Sequence, residues 1–453
     1  MYETHIHRIM KKILILNARI VNEGRMFAGD LYIAAGRIEV IGSDLSARKA
    51  DIRIDAAGKT LLPGMIDDQV HFREPGLMHK GDIFTESRAA VAGGITGYME
   101  MPNTNPPTVS HDLLEEKYRA ADGRSFANYG FYLGATNTNI EAVKSLDPVK
   151  ACGVKVFMGS STGNLLVDDH TVLEQLFAQA PALVATHCED DTIISKNAED
   201  ARARFGDHVP MTEHPVIRSA EACYRSSALA VDLARRHGTR LHVLHLTTAR
   251  EMALFTTGDP RDKKITAEVC VHHLYFDASA YPEKGSLIKC NPAIKTAADR
   301  KAMLKAVLEN RIDVIATDHA PHTLAEKQNP YFKAPSGLPL VQHALVSLLE
   351  HHHDGQLPLP LIVEKTSHAP ARLFDLIDRG FIREGYWADL VLVDLDHPAR
   401  VADQPVLSKC GWSPFAGHTF RSSVAATVVS GHLAYHNGQV DSQPAGMRLA
   451  HDR

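Results

Sequence analysis

The chain has 453 residues, 44% hydrophobic and 23% charged, with a formal net charge of −5 and a pI near 6.6. That length holds one large domain or two ordinary ones, and the mild negative balance disfavours nucleic acid as a partner. No run of about 18 apolar residues is present, so no membrane span is expected.

The N-terminal stretch MYETHIHRIMKKILIL lacks a long apolar segment with a small-residue cleavage site and does not read as a signal peptide. From residue 12 to about 60 the chain alternates in short β-like pieces, ILILNARIV, DLYIAAGRIEVIG and IRIDAAGKT, separated by Gly and Asn/Asp turns. The far end repeats the style in ADLVLVDLD and SSVAATVVSGHLAYHNGQV. Residues 1–61 and 385–453 therefore predict one small β-sandwich domain built from both ends.

Residues 62–384 change rhythm to apolar strands alternating with amphipathic helices, the α/β pattern of a parallel sheet. Strands are expected at 62–71, 94–101, 127–134, 153–158, 182–187, 240–246, 265–271 and 312–317. Helices are expected between most of them, including 85–94, 110–122, 170–180, 219–238 and 296–311, the last with Arg311 near its negative end. Eight strands predict a closed (β/α)8 TIM barrel; an open doubly wound sheet is the alternative, but no G-x-G-x-x-G follows the first strand. Residues 160–164 and 327–337 read as loops at the barrel tips. The histidine run 351–353 reads as surface. Six cysteines without C-x-x-C spacing suggest reduced thiols in a cytoplasm.

Several strands end in, or carry, a charge or a metal-ligand side chain. His71 ends the first, Lys155 lies in the fourth, His187 and His245 end the fifth and sixth, and Asp318 follows the eighth. One histidine at a strand end needs only a hydrogen-bond partner. This set, converging at the C-terminal face of a barrel, points to a divalent ion such as Zn²⁺ or Mn²⁺. A buried ammonium is costly, and Lys155 makes sense either as an ion-pairing residue or as a CO₂-carboxylated, anionic metal bridge. Asp318 suits a metal ligand that also takes a proton from an activated water. Arg73 offers a two-pronged donor to a carboxylate. Asn103, Asn291 and His322 add polar groups near the same face, although both asparagines also suit turns beside proline.

The motifs PGMIDDQVHFREPG, MEMPNTNPPT, GVKVFM, ATHCED, LHVLHLTT, CNPAIK, ATDHAPH and SKCGWSPFAGHTF, in this order, resemble the amidohydrolase superfamily and within it the dihydroorotases. The resemblance implies a barrel with a composite β-domain, one or two zinc ions, and reversible cyclisation of N-carbamoyl-L-aspartate to dihydroorotate in pyrimidine biosynthesis. It implies that His71 binds a first metal, that carboxylated Lys155 bridges, that His187 and His245 bind a second, and that Asp318 is ligand and general base. Arg73, Asn103 and His322 are then expected to hold carboxylates, Asn291 the ring, and the Ser336–Gly337 backbone the pyrimidine edge. A homo-oligomer, a dimer or tetramer, is expected.

One position departs from the pattern. Where the resemblance calls for His-x-His, the chain has Gln69-x-His71, and a neutral amide is a weaker zinc ligand than imidazole. Two alternatives follow: an allantoinase or hydantoinase type of cyclic amidase, which shares the Lys155 pattern, and a non-catalytic scaffold for aspartate carbamoyltransferase.

Overall fold

The computed structural model describes residues 10–159, 165–403 and 405–453; the loop expected at 160–164 and the first nine residues lie outside them. Among the described residues, short apolar runs form the barrel strands Met65–Val70, Ile95–Glu100, Asn128–Phe131 continued by Leu133–Gly134, Val154–Phe157, Val184–His187, Leu241–Val243, Ile265–Cys270 and Val314–Ala316. They are buried almost throughout, as parallel strands wrapped by helices must be. Each pairs in parallel with the next.

The ring closes between the eighth strand and the first through side chains as much as backbone. The His71 N–H donates to the His319 carbonyl at 2.7 Å. The buried Asp67 carboxylate accepts the Thr317 N–H at 3.1 Å and the Thr317 hydroxyl at 2.6 Å.

Helices Ile83–Ala92, His111–Ala121, His170–Gln179, Asp191–Phe205, Ala220–His237 and Ala297–Leu308 cover the strands. Each starts where a polar side chain accepts an orphan N–H: Asp82, Ser110, Asp169, Asp190, Ser219 and Thr296. The last ends at Leu308, short of the expected Arg311. Asn310 turns left-handed, φ 54°, and the Arg311 guanidinium instead donates to the Phe255 carbonyl at 2.6 Å.

The two ends of the chain share one nine-stranded sheet. Its order is Gln439–Val440, His432–His436, Ser423–Val429, Leu390–Asp394, Thr60–Pro63, Ile13–Asn22, Arg25–Ala34 and Arg37–Gly42, with Ile52–Asp55 also paired to Ile13–Asn22. The strand expected at 62–71 is therefore divided at Gly64: Leu61 and Leu62 pair with Leu392 and Val391, and Met65 begins the barrel. A Cβ at Gly64 would lie 2.1 Å from the Thr96 side chain, so the crossing needs glycine. An aliphatic core of Ile13, Ile20, Leu31, Ile33, Leu390 and Val428 belongs to this sheet, separate from the barrel core. The final residues return to the barrel, where Tyr129 donates to the Met447 carbonyl and accepts from Leu449 N–H.

The histidine run is not uniformly on the surface. His351 is buried on the inner face of helix Ala344–His353, where its Nδ1 meets Gln356 Oε1 at 2.6 Å. The SKCGWSPF segment also packs inward. Ser408 and the Lys409 N–H bind Glu86, and the Trp412 indole donates to the His322 carbonyl at 2.8 Å.

Because Asp67 bonds both Thr317 donors at the seam, Asp67→Ala is expected to strand a buried N–H and a hydroxyl. The expected loss is about 2–4 kcal/mol of stability, read from the urea midpoint; an unchanged midpoint contradicts that role.

Candidate active site

A cavity of about 200 Å³ lies at the C-terminal end of the barrel strands. Gln69, His71, Arg73, Asn103, Lys155, His187, His245, Asn291, Asp318, His322, Ser336 and Gly337 all line it. Residues from distant parts of the sequence thus meet because parallel strands deliver their ends to one face.

Lys155 is 1% exposed. Its Nζ has no hydrogen-bond partner and lies 4.4 Å from the Phe157 ring centre. Burial lowers its pKa to about 7, so the amine is readily neutral and nucleophilic. That is the form CO₂ converts to a carbamate. Beside it, His187 Nδ1 stands 2.9 Å from His245 Nε2. The other nitrogen of His187 meets Glu189 Oε2 at 3.1 Å, which leaves Nδ1 as the free ligand atom. Burial, and next the neighbouring His187, push the His245 imidazole well below its usual range, keeping it neutral.

On the opposite wall, His71 Nδ1 meets Asn103 Oδ1 at 2.6 Å. This bond puts the proton on Nδ1 and turns the bare Nε2 towards Asp318 Oδ1 at 3.1 Å. A lone pair facing a carboxylate is stabilised by a cation between them. Neutral imidazoles, a carboxylate and an amine that can become anionic together fit a divalent metal ion. Gln69 behaves differently, as its Nε2 donates to the same Asp318 oxygen at 3.2 Å.

One side of the cavity is cationic. Arg73 is buried; its Nε donates to the Pro321 carbonyl at 3.1 Å and its Nη2 lies 3.1 Å from His322 Nε2. Burial, then the charges of Arg73, Lys80 and Lys327, drive the His322 pKa far down, so His322 is neutral. Lys80 donates to its Nδ1 at 3.0 Å, and Nε2 meets the Ser336 carbonyl at 3.0 Å. Asn291 Oδ1 is buried without a partner.

Three lining residues adopt left-handed backbone: Arg73 at φ 73°, His245 at 40° and Asp318 at 50°. Such conformations cost about 1–3 kcal/mol each and persist where surrounding structure enforces them, commonly at working sites. Gly337, φ 139°, is required for a different reason: a Cβ there would sit 2.4 Å from the Ala320 carbonyl oxygen.

Other residues hold this set in place and were not singled out in the sequence. Glu189 fixes His187 and is ion-paired with Arg218; its position two residues after His187 was the available signal. Lys327, which ends the short helix Leu324–Lys327, donates to the carbonyls of Lys289, Pro335 and Gly337 at 2.9–3.1 Å. Nothing in its local sequence marks Lys327 as buried.

Comparison with known proteins places this geometry in context. A model of the amidohydrolase family matches residues 60–434. A dihydroorotase from Halobacterium salinarum is 33% identical over 411 residues, 89% of this chain and 92% of its own length. An allantoinase from Solibacter usitatus is 31% identical over 449 residues, 97% of both chains. The structure of L-hydantoinase (dihydropyrimidinase) from Arthrobacter aurescens matches with a TM-score of 0.91 at 25% identity, covering 97% of this chain and all of that one.

Two outcomes are expected from the geometry. Metal-depleted protein in ¹³C-bicarbonate should show a carbamate signal that is absent in Lys155→Ala. With a pKa of about 7, the amine is protonated and inert to CO₂ below that pH and reactive above it, so the signal should fade as pH falls through 7. No label at pH 8.5 (about 1.5 units above that pKa) would remove carboxylation. Gln69→His should bind one more equivalent of zinc per chain than the parent by elemental analysis, and an equal count would show that Gln69 does not limit the first position.

Proposed function

The chain belongs to the amidohydrolase family, and from that premise we propose a metal-dependent cyclic amidase whose substrate carries a carboxylate beside the ring amide. The pair that fits is dihydroorotate and N-carbamoyl-L-aspartate. The relatives support cyclic amide chemistry in general, since a dihydroorotase and an allantoinase match to similar degrees. The choice between them rests on Arg73.

Arg73 is a buried guanidinium on the cavity wall, and among the described residues no carboxylate lies within ion-pair distance of it. Burying such a charge is costly unless something anionic pairs with it. A substrate carboxylate supplies that partner in the two-pronged geometry a guanidinium prefers. His322 stands beside it, Asn103 lines the same cavity, and the unpartnered Asn291 oxygen can accept a ring N–H.

Zinc, held by Lys155, His187 and His245 with His71 and Asp318 opposite, would polarise the amide carbonyl and make water more acidic. Asp318 accepts a proton from the attacking water as the water oxygen bonds to the ring carbonyl carbon. The carbon–nitrogen bond then breaks, and Asp318 returns the proton to the leaving nitrogen. Cyclisation runs the same steps backwards. The strained Asp318 backbone, with the hydrogen bond from Gln69, fixes the carboxylate for both transfers. A scaffold without catalysis has less support, because the ligand residues are gathered around one cavity.

Arg73→Ala is expected to lower kcat/KM for dihydroorotate by roughly 10²-fold, the effect of losing a charged hydrogen-bond contact, with little change for substrates lacking a carboxylate. Wild-type turnover of allantoin or hydantoins, with none of dihydroorotate, would reject the assignment in favour of the allantoinase type.

A further inference from the structure

Three ionisable side chains meet inside the barrel without a role in the chemistry above. Asp68 comes from the first strand, His242 from the sixth and Glu268 from the seventh, and none has any solvent exposure. Asp68 and His242 each precede by three residues a lining residue of the cavity, so the group sits one layer further down the strands.

The hydrogen bonds around His242 define its tautomer. The Thr266 hydroxyl donates to the Leu241 carbonyl at 3.2 Å, so its oxygen accepts from His242 Nδ1–H at 2.8 Å. Nε2 is then the ring nitrogen open to a second proton or to a metal ion. It faces Asp68 Oδ2 at 3.2 Å and Glu268 Oε2 at 3.5 Å. Neither Asp68 oxygen, nor Glu268 Oε2, nor His242 Nε2 has a hydrogen-bond partner. The second Glu268 oxygen is occupied, accepting the His245 N–H at 2.9 Å.

Two dry carboxylates are costly; without a bound ion they hold His242 protonated, its pKa pushed up to about 9, and that single imidazolium balances only one of the two charges. The arrangement demands a positive charge at the point where the three free atoms converge. The spacing fits a metal ion, since zinc bonds of about 2.0–2.1 Å in a tetrahedron separate ligand atoms by about 3.3 Å. Imidazole nitrogen and carboxylate oxygen are both zinc donors, and the Thr266 hydroxyl orients the imidazole as an outer partner does.

We propose that Asp68, His242 and Glu268 bind a divalent metal ion of the zinc class inside the barrel, distinct from any ion at the catalytic cavity. Its role is structural. It ties the first strand to the sixth and seventh across the barrel interior, and through Glu268 it fixes the backbone of His245. This site does not depend on the substrate assigned above.

The test is a crystal of the full chain grown with zinc, measured at the zinc absorption edge. An anomalous peak is expected within bonding distance of Asp68, His242 Nε2 and Glu268 Oε2, resolved from any peak beside His187 and His245. Folded Asp68→Asn protein should carry one equivalent of zinc fewer than the parent by elemental analysis. An empty position in zinc-loaded crystals overturns the assignment and leaves an imidazolium there instead, and so does an unchanged zinc count in Asp68→Asn. Either result leaves the cavity peak, and the turnover assay, to judge the catalytic reading separately.

Discussion

Closure of the barrel between its last strand and its first is the interaction on which the site depends. Thr317 gives both of its donors to Asp67, and His71 pairs its N–H with the His319 carbonyl. Asp318 lies between these two anchors and His71 is one of them, so the seam fixes the 3.1 Å approach of His71 Nε2 to the Asp318 carboxylate. An open sheet built from the same strands would leave those residues at opposite edges. The pairing of His71 with Asp318 is therefore a consequence of ring closure, and Asp67 contributes to it without lining the cavity.

Buried amines shape the rest of the site, and each is treated differently. Lys155 has no hydrogen-bond partner, so desolvation outweighs the pull of Cys188, Asp318 and Glu268 and lowers its pKa to about 7. Lys327 is just as buried, and burial lowers it likewise to about 7, yet it spends its donors on three backbone carbonyls. Lys289 does the same for Tyr331 and Ala334. These two lysines hold the 327–337 segment against the cavity, which brings Ser336 and Gly337 to its wall. One residue type is left without hydrogen-bond partners in the first case and serves as an internal brace in the others; the difference lies in whether carbonyls are within reach.

The cationic wall of the cavity has the same logic. Arg73 is buried, its backbone is held at positive φ, and no carboxylate of the described protein pairs with it. The segment carrying His322 is in turn anchored from outside the barrel by Trp412. The C-terminal SKCGWSPF motif thus supports the Arg73–His322 side of the cavity through backbone contacts.

Much of this was legible from the chain itself. Periodicity determined the alternating strands and helices, because strand burial and helix amphipathicity are local patterns that need no partner to be seen. The residues His71, Lys155, His187, His245 and Asp318, on or just after barrel strands, were legible too, since parallel strands deliver them to one face. The division of the first strand at Gly64 was not, because it depends on the approach of Thr96. The burial of His351, the braces Lys327 and Lys289, and the Asp67 seam were hidden for the same reason: each is defined by a partner far away in sequence. Gln69 shows the boundary most plainly. Its identity announced a departure at the first metal position, and only the folded chain decided that its amide would donate to Asp318, because that contact exists only once the eighth strand has closed on the first.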